Sequence, residues 1–141
     1  SPSYPFDLIR KVKRAVEVDG PAYVHVLAVC PTGWRSAGEE TIRLGRLAAE
    51  CGVFPLYEVD QGKYTINLDP GELKPMKEYL DLQGRFRHLK PEDLEYIENR
   101  VHANFEKLRA KARMTAGEDK ASPKASKEKP KKGKAAPRSK K

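Results

Sequence analysis

Long apolar runs, paired cysteines and phosphate-binding loops are all missing from this sequence of 141 residues. No stretch approaches the ~18 apolar residues of a membrane span and no secretory leader is visible, so the chain reads as soluble and cytoplasmic, with no membrane partner. Only two cysteines occur, Cys30 and Cys51. A reducing compartment argues against joining them, and no C-x-x-C supplies two ligands of a metal site. The three histidines, His25, His88 and His102, show no metal-binding spacing. Gly33 to Gly38 lacks both the lysine of a phosphate loop and the dinucleotide fingerprint. Glu58, Asp60, Asp69 and Glu72 flank turns and read as solvated or capping groups, not as an acid/base pair. No catalytic residue is identifiable.

What is abundant is positive charge, and it is localised. Thr115 to Lys141 carries ten basic residues against three acidic ones, so residues 1–114 are nearly neutral within a chain of net charge +8. Residues 115–141 are Lys, Ala, Pro and Ser without an aromatic, too polar to offset their ordering entropy, and read as a disordered basic tail. A solubilising extension is the plain reading; an electrostatic arm for nucleic acid, an acidic partner or anionic lipid is the functional one. Without aromatics to stack on bases, nucleic acid is the weaker partner.

Residues 1–114 read as one α/β unit. Leu8, Ile9, Val12, Ala15 and Val16 share a helical face, ended by Asp19-Gly20-Pro21. Ala22 to Val29 is apolar at nearly every position except His25, the pattern of a strand buried on both faces of a parallel sheet; His25 then reads as a hydrogen-bonded core histidine. Ser36-x-x-Glu39 has the form of a capping box for a helix bearing Leu44, Leu47, Ala48 and Cys51, with Gly52 as its C-terminal glycine. "VFPLYEV" and "KYTINL", joined at Asp60-Gln61-Gly62, read as an edge hairpin. "KPMKEYLDLQGRFRHL" reads as a short helix and an irregular stretch around Gly84, and Pro91 opens a last helix through Leu94, Ile97, Val101, Phe105 and Leu108. Such a sheet is short of strands, and the chain opens at Ser1 without a methionine, which together read as the C-terminal part of a larger α/β protein or one completed by a partner.

Cys30 ends the apolar segment, at the sheet edge where ligands collect in α/β folds. Pro31 cannot extend a strand, and Gly33 lets backbone amides approach a ligand closely. A thiolate beside amide donors suits an iron–sulfur cluster, but one cysteine is not a cluster site. By chemistry alone a structural cysteine is the plainer reading for Cys30, as it is for Cys51 on its helical stripe. "LQGRFRH", basic with one aromatic, hints only at an anion patch.

"SPSYPFDLIRKVKRA", "GPAYVHVLAVCPTGW" and "YLDLQGRFRHL", in this order, resemble the C-terminal third of beta subunits of the 2-oxoacid:ferredoxin oxidoreductases, the pyruvate (pyruvate synthase) branch above all. The resemblance covers Ser1 to about Leu89. It implies a thiamine-diphosphate-binding α/β fold: helix, buried parallel strand, helix, edge hairpin and C-terminal helices. In that family the cofactor attacks a 2-oxoacid, carbon dioxide leaves, coenzyme A takes the acyl group and electrons pass through 4Fe-4S clusters to ferredoxin. The cofactors carry that chemistry and the protein positions them. The cysteine of "CPTGW" matches the family's last cluster ligand, which makes Cys30 the metal ligand, with Pro31, Thr32, Gly33 and Trp34 as the cluster's wall. The family's other three cluster cysteines, and the residues holding magnesium and diphosphate, have no counterpart in this chain, so the fragment is not expected to be active alone. Val29 stands where the family often has proline, and the lysine-rich tail is foreign to its pattern. Implied partners are the other subunits (alpha, gamma and delta type) and ferredoxin, with pyruvate and coenzyme A as substrates. Two competing readings remain: a non-catalytic, basic-tailed α/β module binding nucleic acid or an acidic partner, and a separately translated split-gene subunit.

Overall fold

The computed structural model describes residues 1–118, a mixed, helix-rich α/β arrangement with one small sheet. In chain order come α1 (Pro5–Glu17), α2 (Pro31–Trp34), α3 (Thr41–Glu50), β1 (Tyr57–Asp60), β2 (Lys63–Ile66), α4 (Met76–Leu80) and α5 (Pro91–Glu118), with short 3-10 turns at Gly38–Glu40 and Gly84–Phe86.

The core lies between α3 and α4. Leu44, Leu47, Ala48 and Cys51 meet Met76, Tyr79 and Leu80, and Leu94, Ile97 and Val101 of α5 close the cluster from a third side. These are the stripes that spacings of three and four predict, each burying an apolar face worth roughly 1.5–3 kcal/mol per large side chain. Gly52 takes φ +79 just past α3, the left-handed conformation expected of a helix-terminating glycine. Glu98 of α5 accepts a hydrogen bond from the Met76 amide at 2.8 Å, satisfying a donor that α4 leaves open at its start.

β1 and β2 pair antiparallel, Tyr57 opposite Ile66 and Asp60 opposite Lys63. Gln61 (φ +48) and Gly62 (φ +83) form the two-residue connection, both left-handed as a type I′ turn requires. The hairpin is held from α5: Thr115 Oγ1 accepts the Tyr64 amide at 3.0 Å, and the Lys111 ammonium lies 5.3 Å from the Tyr64 ring centre. Earlier in α5, Arg109 forks onto Asp69, Nε to Oδ2 at 2.9 Å, and donates to the Gly71 carbonyl at 2.5 Å. Its hydrogen bonds hold the Asp69 carboxyl below the usual carboxylate range.

Three expectations are corrected. Ala22–Val29 forms no strand: among the described residues the only sheet is the hairpin, and a ladder needs a neighbour. Only its last residues keep the alternation of a strand, with Leu27 and Val29 packed on the core and Val26 exposed between Leu27 and an equally exposed His25. His25 is likewise no core histidine; it is exposed, its ring set edge-on to Phe54 at 5.0 Å. The capping box does not form. The Ser36 amide is spent on the Pro31 carbonyl at 3.1 Å, closing the preceding turn, so α3 opens instead through the 3-10 turn, with Thr41 Oγ1 donating to the Gly38 carbonyl at 2.6 Å. The Ser36 hydroxyl is left buried without a partner. At the other end α5 continues through Glu118, past the boundary read at Met114; the remainder of the basic tail lies outside the described residues.

Candidate functional site

Cys30 sits in extended backbone (φ −111, ψ 100) as the residue capping α2. Its carbonyl accepts the Trp34 amide at 2.9 Å, so one helical turn begins on the cysteine. Pro31 at the first helical position fits that start, having no amide to leave unpaired. The turn closes with Ser36 N–H on the Pro31 carbonyl and Arg35 N–H on that of Thr32, at 3.1 and 3.4 Å. This is a Schellman closure, with Arg35 in the left-handed position (φ 54).

The Cys30 thiol is free and exposed. A side chain placed on Gly33 would lie 3.5 Å from its sulfur; glycine leaves that face of the sulfur bare. Cys51 is the opposite case: free but fully buried, its thiol pushed up to about 11 by burial. The two cysteines are thus divided by environment into one accessible sulfur and one inert packing group.

Trp34 is the hinge between this turn and the core. Its ring stands edge-on to Tyr79 of α4 at 6.4 Å, and the Arg85 guanidinium lies 4.1 Å from its centre. Arg85 is aimed by Gln83, whose Oε1 accepts from Nε at 3.0 Å and Nη2 at 2.7 Å. Gln83 is itself only 1% exposed and donates to the Tyr79 carbonyl at 2.7 Å. The Gly84 amide donates to the Arg35 carbonyl at 3.0 Å. The segments "CPTGW" and "LQGRF", distant in sequence, therefore form one unit.

Of the predicted site residues, Cys30, Pro31, Thr32, Gly33 and Trp34 are brought together by the turn. Gln83 and Arg85 were legible only as part of a basic stretch. His88 and His102 are both exposed, and no group of three or more His, Cys, Asp or Glu side chains with metal-binding geometry occurs among the described residues. Glu58 and Asp60 are engaged by Asn67 at 2.8 Å and Arg14 at 2.5 Å. The donor set fits one thiolate ligand to a cluster. Among the described residues it offers no complete cluster site.

No protein-family model matches the chain. Among curated proteins it is similar to pyruvate synthase subunit PorB of Methanocaldococcus jannaschii, 48% identical over 99 residues, which are 70% of this chain and 33% of that protein. It is also similar to ketoisovalerate oxidoreductase subunit VorB of Pyrococcus abyssi, 41% identical over 116 residues, 81% of this chain and 37% of that one. Pyruvate synthase subunit PorB of Methanothermobacter thermautotrophicus is 44% identical over 107 residues, 76% and 37% of the two chains. The chain thus spans about a third of the length of these relatives.

Proposed function

Since this chain belongs with the beta subunits of the 2-oxoacid:ferredoxin oxidoreductases, we propose that it is the cluster-proximal part of such a subunit and that Cys30 supplies one thiolate to a 4Fe-4S cluster. The observation that carries this reading is the free, exposed Cys30 sulfur on a one-turn helix, bare on its Gly33 side and backed through Trp34 by the α3–α4 core. Pro31, Thr32, Gly33 and Trp34 form the wall beside that sulfur. The remaining ligands, and the residues for thiamine diphosphate and magnesium, come from polypeptide outside this chain. The cluster, when bound, supplies one-electron transfer toward ferredoxin; this chain holds and orients its own ligand.

The fold reading follows from the same incompleteness. Residues 22–29, largely exposed with only Leu27 and Val29 on the core, become a parallel strand of a thiamine-diphosphate-binding sheet once neighbouring strands are supplied. The substrate is a 2-oxoacid. We favour pyruvate, decarboxylated oxidatively with coenzyme A to acetyl-CoA, on the PorB likenesses, and the VorB likeness makes a branched-chain 2-oxoacid the comparison to run. In the complete enzyme, Cys30→Ala should lower cluster iron and abolish ferredoxin reduction, while the parallel Cys51→Ala keeps both. Full iron content and undiminished ferredoxin reduction in Cys30→Ala would remove the assignment.

A further inference from the structure

Resting on the reading of Cys30 as a cluster ligand, we propose that Arg85 is a positioning residue: the flat face of its guanidinium, aimed by buried Gln83, holds Trp34 and through it the turn that presents the Cys30 sulfur.

Three links make up the connection. The first is Gln83, fixed inside the protein by its bond to the Tyr79 carbonyl. Its one side-chain oxygen receives two guanidinium nitrogens, which fixes the place of the guanidinium and the edge it turns to Gln83. The second link is that plane against two rings, 4.1 Å from the centre of Trp34 and 4.6 Å from that of Phe86. Such a cation held over a ring is attracted by the ring's negative face, and more strongly the less water reaches it. The third is the turn itself, where the Trp34 amide is bonded to the Cys30 carbonyl. One short segment, residues 83–85, therefore grips the turn twice, by its indole and by its Arg35 carbonyl.

Since the Cys30 side chain is exposed, the direction of its sulfur depends on that turn. Lysine would keep the charge of Arg85 while lacking both the fork that Gln83 aims and the flat face that Trp34 needs. Charge and shape are therefore separable by one substitution.

Trp34 is the only tryptophan, so its fluorescence reports on the grip without ambiguity. In the full chain, Arg85→Lys should raise acrylamide quenching of Trp34 about twofold and shift its emission to the red, with helix content unchanged by circular dichroism. Gly84→Ala attacks the second grip, placing a methyl 3.0 Å from the Arg35 carbonyl oxygen, and should move the same readout. In the complete enzyme, Arg85→Lys should retain cluster iron but change the paramagnetic resonance spectrum of the reduced cluster, which loss of stability alone would not do. Unchanged Trp34 quenching in both variants overturns the proposal. So does raised quenching with an unchanged cluster spectrum, because the order of the turn would then not reach Cys30. Failure of the ligand reading shows separately, as iron retained in Cys30→Ala.

Discussion

Two thiols in one chain have opposite chemistry because of where each backbone segment ends up. Cys51 lies on the buried stripe of α3 and is held neutral by burial, its thiol raised to about 11. A thiol free in the unfolded chain ionises near 8.5, so the stabilising share of Cys51 is complete below about that pH and is lost as pH rises toward the folded value. Iodoacetamide at mildly alkaline pH should modify Cys30 alone, and Cys51 only after denaturant is added; mass spectrometry of the labelled peptides decides it. Equal labelling of both in the native chain would contradict the packing of α3. The place of Cys51 was legible because a helical stripe is a local pattern. That of Cys30 was legible only as the end of an apolar run, since whether such a run pairs into a sheet is set by neighbours distant in sequence, and none pairs with it among the described residues. His25 was misplaced for the same reason. Gln83 and Arg85 are legible only as part of a basic stretch because their meaning lies in Trp34, far away along the chain, and a basic segment with one aromatic does not reveal what its arginine stacks on.

At the level of elements, local chemistry was a good guide wherever a segment could finish itself. α3, α4 and α5 carry their own apolar stripes, and the hairpin carries its own turn. Residues 22–29 could not finish themselves, and Ser36 was claimed by the turn before it instead of the helix after it. The hairpin turn still holds a suboptimal residue: Gln61 takes φ +48, a conformation that asparagine adopts at lower cost. Gln61→Asn should stabilise the protein by about 0.5 kcal/mol and raise its Tm by roughly 2–4 °C. A lower Tm in a thermal melt would mean that the Gln61 side chain contributes something to the hairpin beyond its backbone angle.

For the whole molecule, the question is which part of the C-terminal sequence belongs to the fold. Composition put the boundary at Met114. Thr115 accepts the Tyr64 amide and α5 runs on to Glu118, so these few residues past Met114 have a part in the folded structure. A chain ending at Glu118 should melt as the full chain does, whereas one ending at Met114 loses that bond, about 1 kcal/mol, and roughly 4–8 °C of Tm. The same Glu118 truncation in the complete enzyme should leave ferredoxin reduction intact. If activity survived and a salt-sensitive affinity for nucleic acid disappeared, the lysines would have a second role separate from the redox one.

The largely exposed segment before Cys30 also governs how the chain behaves in a test tube. Tyr23, Val24 and Val26 are exposed side by side in a stretch without ladder partners, and such a stretch is a template on which identical chains add to one another. A net charge of +8 opposes that growth by mutual repulsion, which added salt screens over about 10 Å at 0.1 M. Light scattering from the purified chain should therefore rise with sodium chloride, and a lysine at Val24 or Val26 should suppress the rise. Colloidal stability here rests on the balance between a charged surface and an unpaired backbone.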